Sequence, residues 1–254
     1  SLVIARVSNT DRTFGIMIAT QMIMGGIMAA GLAPLITSHG VYPVWTVLIL
    51  FSLLTLVVLP LLSDYPEIAK AHKRGTAVAT TRPPLMIALL AGVALFVYQV
   101  GQMAAYAYIF EHGQTFGLSN TFMGWTSAVS LWSGVLSALG AAYWSTRNGY
   151  VRPAVAGAVL TAAAVALLIY PSASAYLIAS IGFGIFFCAT IPYLLSLLAE
   201  MDDTGRLASV GSFVSSFGLA SGPFLAATLL GLGASIVDVL IFAVAAMTCA
   251  GILA

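Results

Sequence analysis

The chain has 254 residues, of which 61% are hydrophobic and only 7% charged, with a formal net charge of +1. A soluble domain carries roughly a quarter charged residues, so this composition cannot cover a water-facing surface and places the chain in a membrane. The near-neutral balance offers no electrostatic footprint for nucleic acid, and Cys188 and Cys249 both lie inside apolar runs, where they read as small core residues rather than a disulfide or a metal site.

A helix needs about 20 mostly apolar residues to cross a bilayer. Eight runs qualify: about 14–36, 43–62, 85–110, 121–145, 153–171, 174–198, 207–231 and 235–254. Backbone groups in hydrocarbon must be satisfied within the segment, which predicts helices. The short alternating segments of a membrane barrel are absent. The expected fold class is all-α: a polytopic membrane helix bundle with eight transmembrane helices. The chain opens SLVIARVSNTD with no signal-peptide pattern and closes CAGILA inside an apolar run, so both ends read as cut.

The first span carries Thr20 and Gln21 at mid-depth. After the second comes Ser63–Pro84, the one long polar stretch, with Asp64, Glu67, Lys70, Lys73, Arg74 and Arg82. The third span is the richest in polar side chains: Tyr98, Gln99, Gln102, Tyr106 and Tyr108. Gln99, Gln102 and Tyr106 fall at i, i+3 and i+7 and so share one helical face. Polar groups at membrane depth are expensive and are functional candidates by default; the competing role is hydrogen bonding between packed helices. The amides suit a hydroxylated or otherwise neutral solute, with Tyr as a flat wall. The sixth span adds Phe186, Phe187 and Tyr193.

Helix starts and contacts are also written in the sequence. Ser119 or Asn120 can cap the fourth span, Ser174 the sixth, and Ser235 with Asp238 forms a capping-box pattern for the eighth. Pro34, Pro192 and Pro223 fall within spans. Gly26/Ala30, Gly134/Ala138 and Gly218/Gly222 are small-residue pairs that permit close helix contact.

All nine Lys and Arg residues fall on one side of the expected membrane: Arg6 and Arg12, the Ser63–Pro84 cluster, Arg147 and Arg152, and Arg206. The positive-inside rule makes that side cytoplasmic, together with both termini. Outside those loops the titratable groups are Glu111, Asp238, His39 and His112. Glu111 ends the third span against the helix dipole, which makes it a coupling or gating candidate. On an unbroken helix, however, it turns away from Gln102. Asp238 reads as a cap and His39 as a loop residue.

A weak internal echo links the first and seventh spans. Each is entered by an acid–Arg pair, at Asp11-Arg12 and Asp203 to Arg206, and each runs through small residues to a small-Pro step, at Ala33-Pro34 and Gly222-Pro223. Repeats of this kind build transporter folds. Three stretches then carry a family resemblance. They are GQTFGLSNTFMGW before the fourth span, Ser145–Arg152, where Arg147 and Gly149 fit a loop signature while Thr146 and Tyr150 depart from it, and Gly205-Arg206 followed by Gly218 to Ala227 around Gly222-Pro223. Together they resemble the major facilitator superfamily (MFS) of secondary transporters.

The resemblance implies two six-helix halves joined by a basic loop. Residues 1–62 then correspond to the end of the N-terminal half, 63–84 to the central cytoplasmic loop and 85–254 to the C-terminal half. The chain would be a fragment covering roughly helices five to twelve. The implied activity is alternating-access transport of a small organic solute with proton or ion coupling, in a bacterial inner membrane, with the lipid bilayer and the solute as partners. Substrate contacts are expected from Gln21, Gln99, Gln102, Tyr106 and Tyr98. Coupling or gating is expected from Glu111, Asp203, Arg206 and Arg147. No cofactor is implied. A non-transporting scaffold or receptor on the same body is the alternative. No HExxH motif or Ser-His constellation points to an enzyme.

Overall fold

Apolar runs fold as helices throughout the described parts of the chain. The computed structural model describes residues 10–40, 42–58, 85–144, 149–201 and 206–254. In chain order these hold α1 (Thr10–His39), α2 (Tyr42–Val58), α3 (Leu85–Ala107), α4 (Ile109–Thr115), α5 (Asn120–Trp144), α6 (Val151–Leu168), α7 (Ala173–Glu200), α8 (Arg206–Gly231) and α9 (Ile236–Leu253). The fold is all-α. Among the described residues six helices, α3 and α5 to α9, are long and apolar enough to cross a membrane, and α1 and α2 contain shorter apolar stretches, Ala19–Leu32 and Tyr42–Val57. The last residues of the second expected span, 59–62, lie outside the described residues, as does the polar stretch Ser63–Pro84.

The helix ends follow local chemistry. Ser119 Oγ accepts the Phe122 N–H at 3.2 Å and caps α5. Ser235 and Asp238 form the reciprocal capping box of α9. At α7 the cap is Ser172, which accepts from Ala175 N at 3.1 Å, rather than Ser174. The helix therefore begins one residue before the expected span. The ends of α4 and α8 close by the same two bonds. Leu118 N donates to the Gly113 carbonyl and Gly117 N to that of Gln114; Ala234 N donates to Leu229 and Gly233 N to Leu230. Gly117 and Gly233 hold the positive φ this closure needs, 82° and 92°.

The chain divides into two compact units, residues 1–30 with 82–254, and residues 31–81. In the smaller one, α2 exposes apolar side chains on all sides, from Tyr42 and Trp45 to Leu56 and Val57. Its hydroxyls bond back to their own helix: Thr46 to the Tyr42 carbonyl, Ser52 to Leu48 and Thr55 to Phe51. Those three hydroxyls are thus satisfied within the helix, as hydrocarbon requires.

In the larger unit α3 packs on α8, α9 and α7, α5 packs on α7, and α6 packs on α7 and α9. Small residues set the spacing. A Cβ on Gly222 would stand 2.6 Å from the Val100 carbonyl oxygen, and one on Gly218 2.7 Å from Gln99 Cβ. One on Gly134 would stand 2.6 Å from Cys188 Sγ. The pairs Gly218/Gly222 and Gly134/Ala138 thus lie at helix contacts, α8 on α3 and α5 on α7. Gly26 of α1 is filled by the Trp132 ring of α5.

Candidate functional site

The position of α3 between α8 and α9 aims its polar side chains. Gly101 faces α9, where a Cβ would stand 2.8 Å from the Ala243 carbonyl oxygen. Gly211, Ser215, Gly218 and Gly222 form the buried stripe of α8. With both neighbours this close, Gln99 is directed onto Ser215. Its Nε2 donates to Ser215 Oγ at 2.6 Å. Its other amide atom, Oε1, is buried without a partner, and so is Oε1 of Gln102. The two residues are 3% and 4% exposed. A buried acceptor left unmade carries a penalty of about 1–3 kcal/mol. Two such carbonyls on adjacent turns of one helix are an unusual concentration of unmet acceptor capacity.

The same helix, α3, also contributes to aromatic stacks. Tyr106 stacks on Phe183 of α7 with centroids 6.1 Å apart, and Phe183 stacks on Phe187 at 6.0 Å. On the other side Phe96 stacks on Phe217 of α8 at 5.6 Å. Those two rings border an apolar groove of about 440 Å³ between the N-terminal halves of α3 and α8, lined by Gly92, Val93, Phe96, Val210, Val214 and Phe217 among others. Neither glutamine lines that groove, but α3 carries both the unmet acceptors and residues of flat aromatic stacks. That is the chemistry for holding a hydrogen-bond donor on a largely apolar or ring-shaped solute.

The other expected residues are distributed as follows. Tyr98 is fully buried, and its hydroxyl lies 3.0 Å from Thr161 Oγ1 of α6. Thr161 already donates to the Gly157 carbonyl at 2.7 Å, so the phenol is the donor of that pair. Tyr98 therefore braces α3 against α6, on a different side of α3 from Ser215. Tyr98→Phe is expected to lower stability by about 1 kcal/mol while leaving solute uptake unchanged, as read by thermal unfolding and transport on the same preparation. Gln21 is exposed on α1. Arg206 is exposed at the start of α8. Arg147 and Asp203 lie outside the described residues.

Glu111 sits differently from the unbroken-helix expectation. Tyr108 leaves the helical geometry, with φ −114° and ψ 13°, and α4 restarts at Ile109. Glu111 is exposed on α4 and the neighbouring His112 is buried, with Nε2 donating to the Leu168 carbonyl at 2.7 Å. Ser215 and Phe183 were not anticipated from the sequence. Ser215 had a readable signal, because it falls on the stripe 211–215–218–222 at helical spacing. Phe183 had none beyond being an aromatic residue in a span.

Comparison with known proteins adds one positive finding. The family model described as Major Facilitator Superfamily matches residues 1–223. No curated protein matches the chain.

Proposed function

From the premise that the chain belongs to the major facilitator superfamily, and is thus an integral, multi-pass membrane transporter, we propose that it moves a small uncharged organic solute bearing hydrogen-bond donors by alternating access. The observation that carries this is the pair of buried, unpartnered amide carbonyls of Gln99 and Gln102. Donors on the solute satisfy those acceptors, and the Tyr106–Phe183 stack bounds its flat face. Ser215 positions the Gln99 amide rather than touching the solute.

Residues 85–254 act in this reading as one six-helix half, with 63–84 as the central cytoplasmic loop and 1–62 as the end of the other half. The one-sided placement of all nine basic residues supports cytoplasmic loops at Arg147–Arg152 and Arg206. Glu111, Arg147, Asp203 and Arg206 are assigned to coupling and gating, with the proton as the coupling ion. Gln21 supplies a further contact to the solute.

The test is uptake of a panel of labelled neutral solutes into proteoliposomes, with and without an imposed pH gradient. Uptake of at least one solute is expected, accelerated by the gradient and returned to its basal rate by a protonophore. Uptake indifferent to the gradient removes proton coupling. No uptake of any panel member by protein that is folded in the vesicles favours a non-transporting scaffold.

A further inference from the structure

The contact between α3 and α7 can be placed residue by residue. The Tyr98 hydroxyl meets Thr190 of α7 as well as Thr161, and Tyr106 stacks on Phe183. The two helices therefore run antiparallel, because two turns forward along α3 match two turns back along α7. Gln102 lies one turn from Tyr98 and one turn from Tyr106, so it shares the face of α3 that meets α7. Phe187 lies one turn from Phe183 and one turn from Thr190, so it shares the face of α7 that meets α3. Gln102 and Phe187 are thus set at the same depth on facing helices. Gln102 is 4% exposed and its Oε1 has no partner, whereas Phe187 is only partly buried. The Phe183 ring is tilted by 8° from that of Tyr106 and by 6° from that of Phe187. The two faces that hold the unmet carbonyl therefore also hold three nearly parallel rings.

We propose that Phe187 is a specificity-determining residue, and that the solute is a planar ring compound whose flat face lies along Phe187 while an N–H or O–H on its edge donates to Gln102 Oε1. This names the solute class within the uncharged-solute reading above and rests on that reading. The amide and the ring select for different things. A buried carbonyl that lacks a partner selects the donor, because a solute without one leaves it unmet. An aromatic wall selects shape. Parallel, offset rings attract one another beyond the area they bury. A puckered, saturated ring meets the same wall along fewer atoms and loses part of that dispersion contact. Neither side chain carries a charge, so the pair offers nothing to balance an ionic group on the ring.

The test is uptake of matched, labelled pairs by the full chain in proteoliposomes, counted above protein-free vesicles. Uracil and dihydrouracil carry the same N–H donors on a flat and a puckered ring; benzamide and cyclohexanecarboxamide form a second such pair. The planar member is expected to enter about three- to tenfold faster in the unaltered protein. Phe187→Leu should bring that ratio close to one by slowing only the planar member, and Phe187→Tyr, which keeps the ring, should preserve it. Gln102→Leu should slow both members alike, because both carry the donor. Equal uptake within each pair of the unaltered protein overturns the planar class. A ratio that survives Phe187→Leu, or a loss of both members together there, overturns the role of Phe187. Should Phe187→Leu not fold, Phe187→Met replaces it, with a flexible side chain that fills the space without a ring. Uptake of mannitol but of neither pair overturns the planar class and leaves the uncharged-solute reading standing; no uptake of mannitol or of either pair removes both.

Discussion

Gln102→Leu is expected to lower solute uptake about tenfold, equivalent to about 1.4 kcal/mol of solute interaction, without lowering the unfolding temperature. The two effects part because the amide does nothing for the resting fold. Its Oε1 is buried and unpartnered, and such an acceptor costs about 1–3 kcal/mol. Leu fills similar space and removes that cost, so thermal stability holds or rises. The lost uptake is the worth of a hydrogen bond that only the solute completes. Stabilisation at the expense of activity is the signature of a functional polar residue. Were Gln102 a packing residue, uptake and stability would fall together. Gln99→Leu differs, because it also gives up the 2.6 Å bond to Ser215. It should lose about 1 kcal/mol of that bond's contribution, set against the relief of its own unpartnered Oε1, as well as uptake.

Gly222→Ala should destabilise the protein by about 1–3 kcal/mol, the usual range for overpacking a filled interface. The added methyl group would stand 2.6 Å from the Val100 carbonyl oxygen and 2.8 Å from the Ala104 nitrogen. Both are backbone atoms of α3, so no side chain can turn aside and the two helices must separate. Gly231, at the far end of the same helix, has nothing within 4 Å of its Cβ position. The same change there should raise stability by about 0.4–1 kcal/mol, through the reduced freedom of the unfolded chain. Opposite signs for one substitution on one helix separate packing from helix propensity. Separation of α3 from α8 also stretches the Gln99–Ser215 bond, so Gly222→Ala should reduce uptake while Gly231→Ala does not. Denaturation and uptake measured on both variants check the pair.

Much of the architecture was readable because its causes are local. Apolar length sets each span from α5 to α9 to within a few residues, and the Ser235–Asp238 box marks the start of α9. The small pair Gly218/Gly222 identifies the stripe of α8 that meets α3. What escaped depends on distant partners. The break at Tyr108 has no Gly or Pro to announce it, and α4 is tied instead by His112 to a carbonyl 56 residues away. Spacing puts Gln99, Gln102 and Tyr106 on one face of a span but does not say that Gln99 meets α8 and Tyr106 meets α7. Nor does it distinguish Tyr98, whose hydroxyl meets Thr161, 63 residues along the chain. Ser172 rather than Ser174 caps α7 because the chain turns one residue earlier than the apolar run suggests.

The most direct test of the Gln99–Gln102 site is the shift in unfolding temperature caused by the transported solute, compared between the unaltered protein and the Gln99→Leu/Gln102→Leu double variant. A ligand that binds only the folded state stabilises it in proportion to the logarithm of its concentration over Kd. The expected result is a rise that grows with solute concentration in the unaltered protein and is absent in the double variant. An equal rise in both would show that the solute binds elsewhere and would contradict the assignment of these two amides.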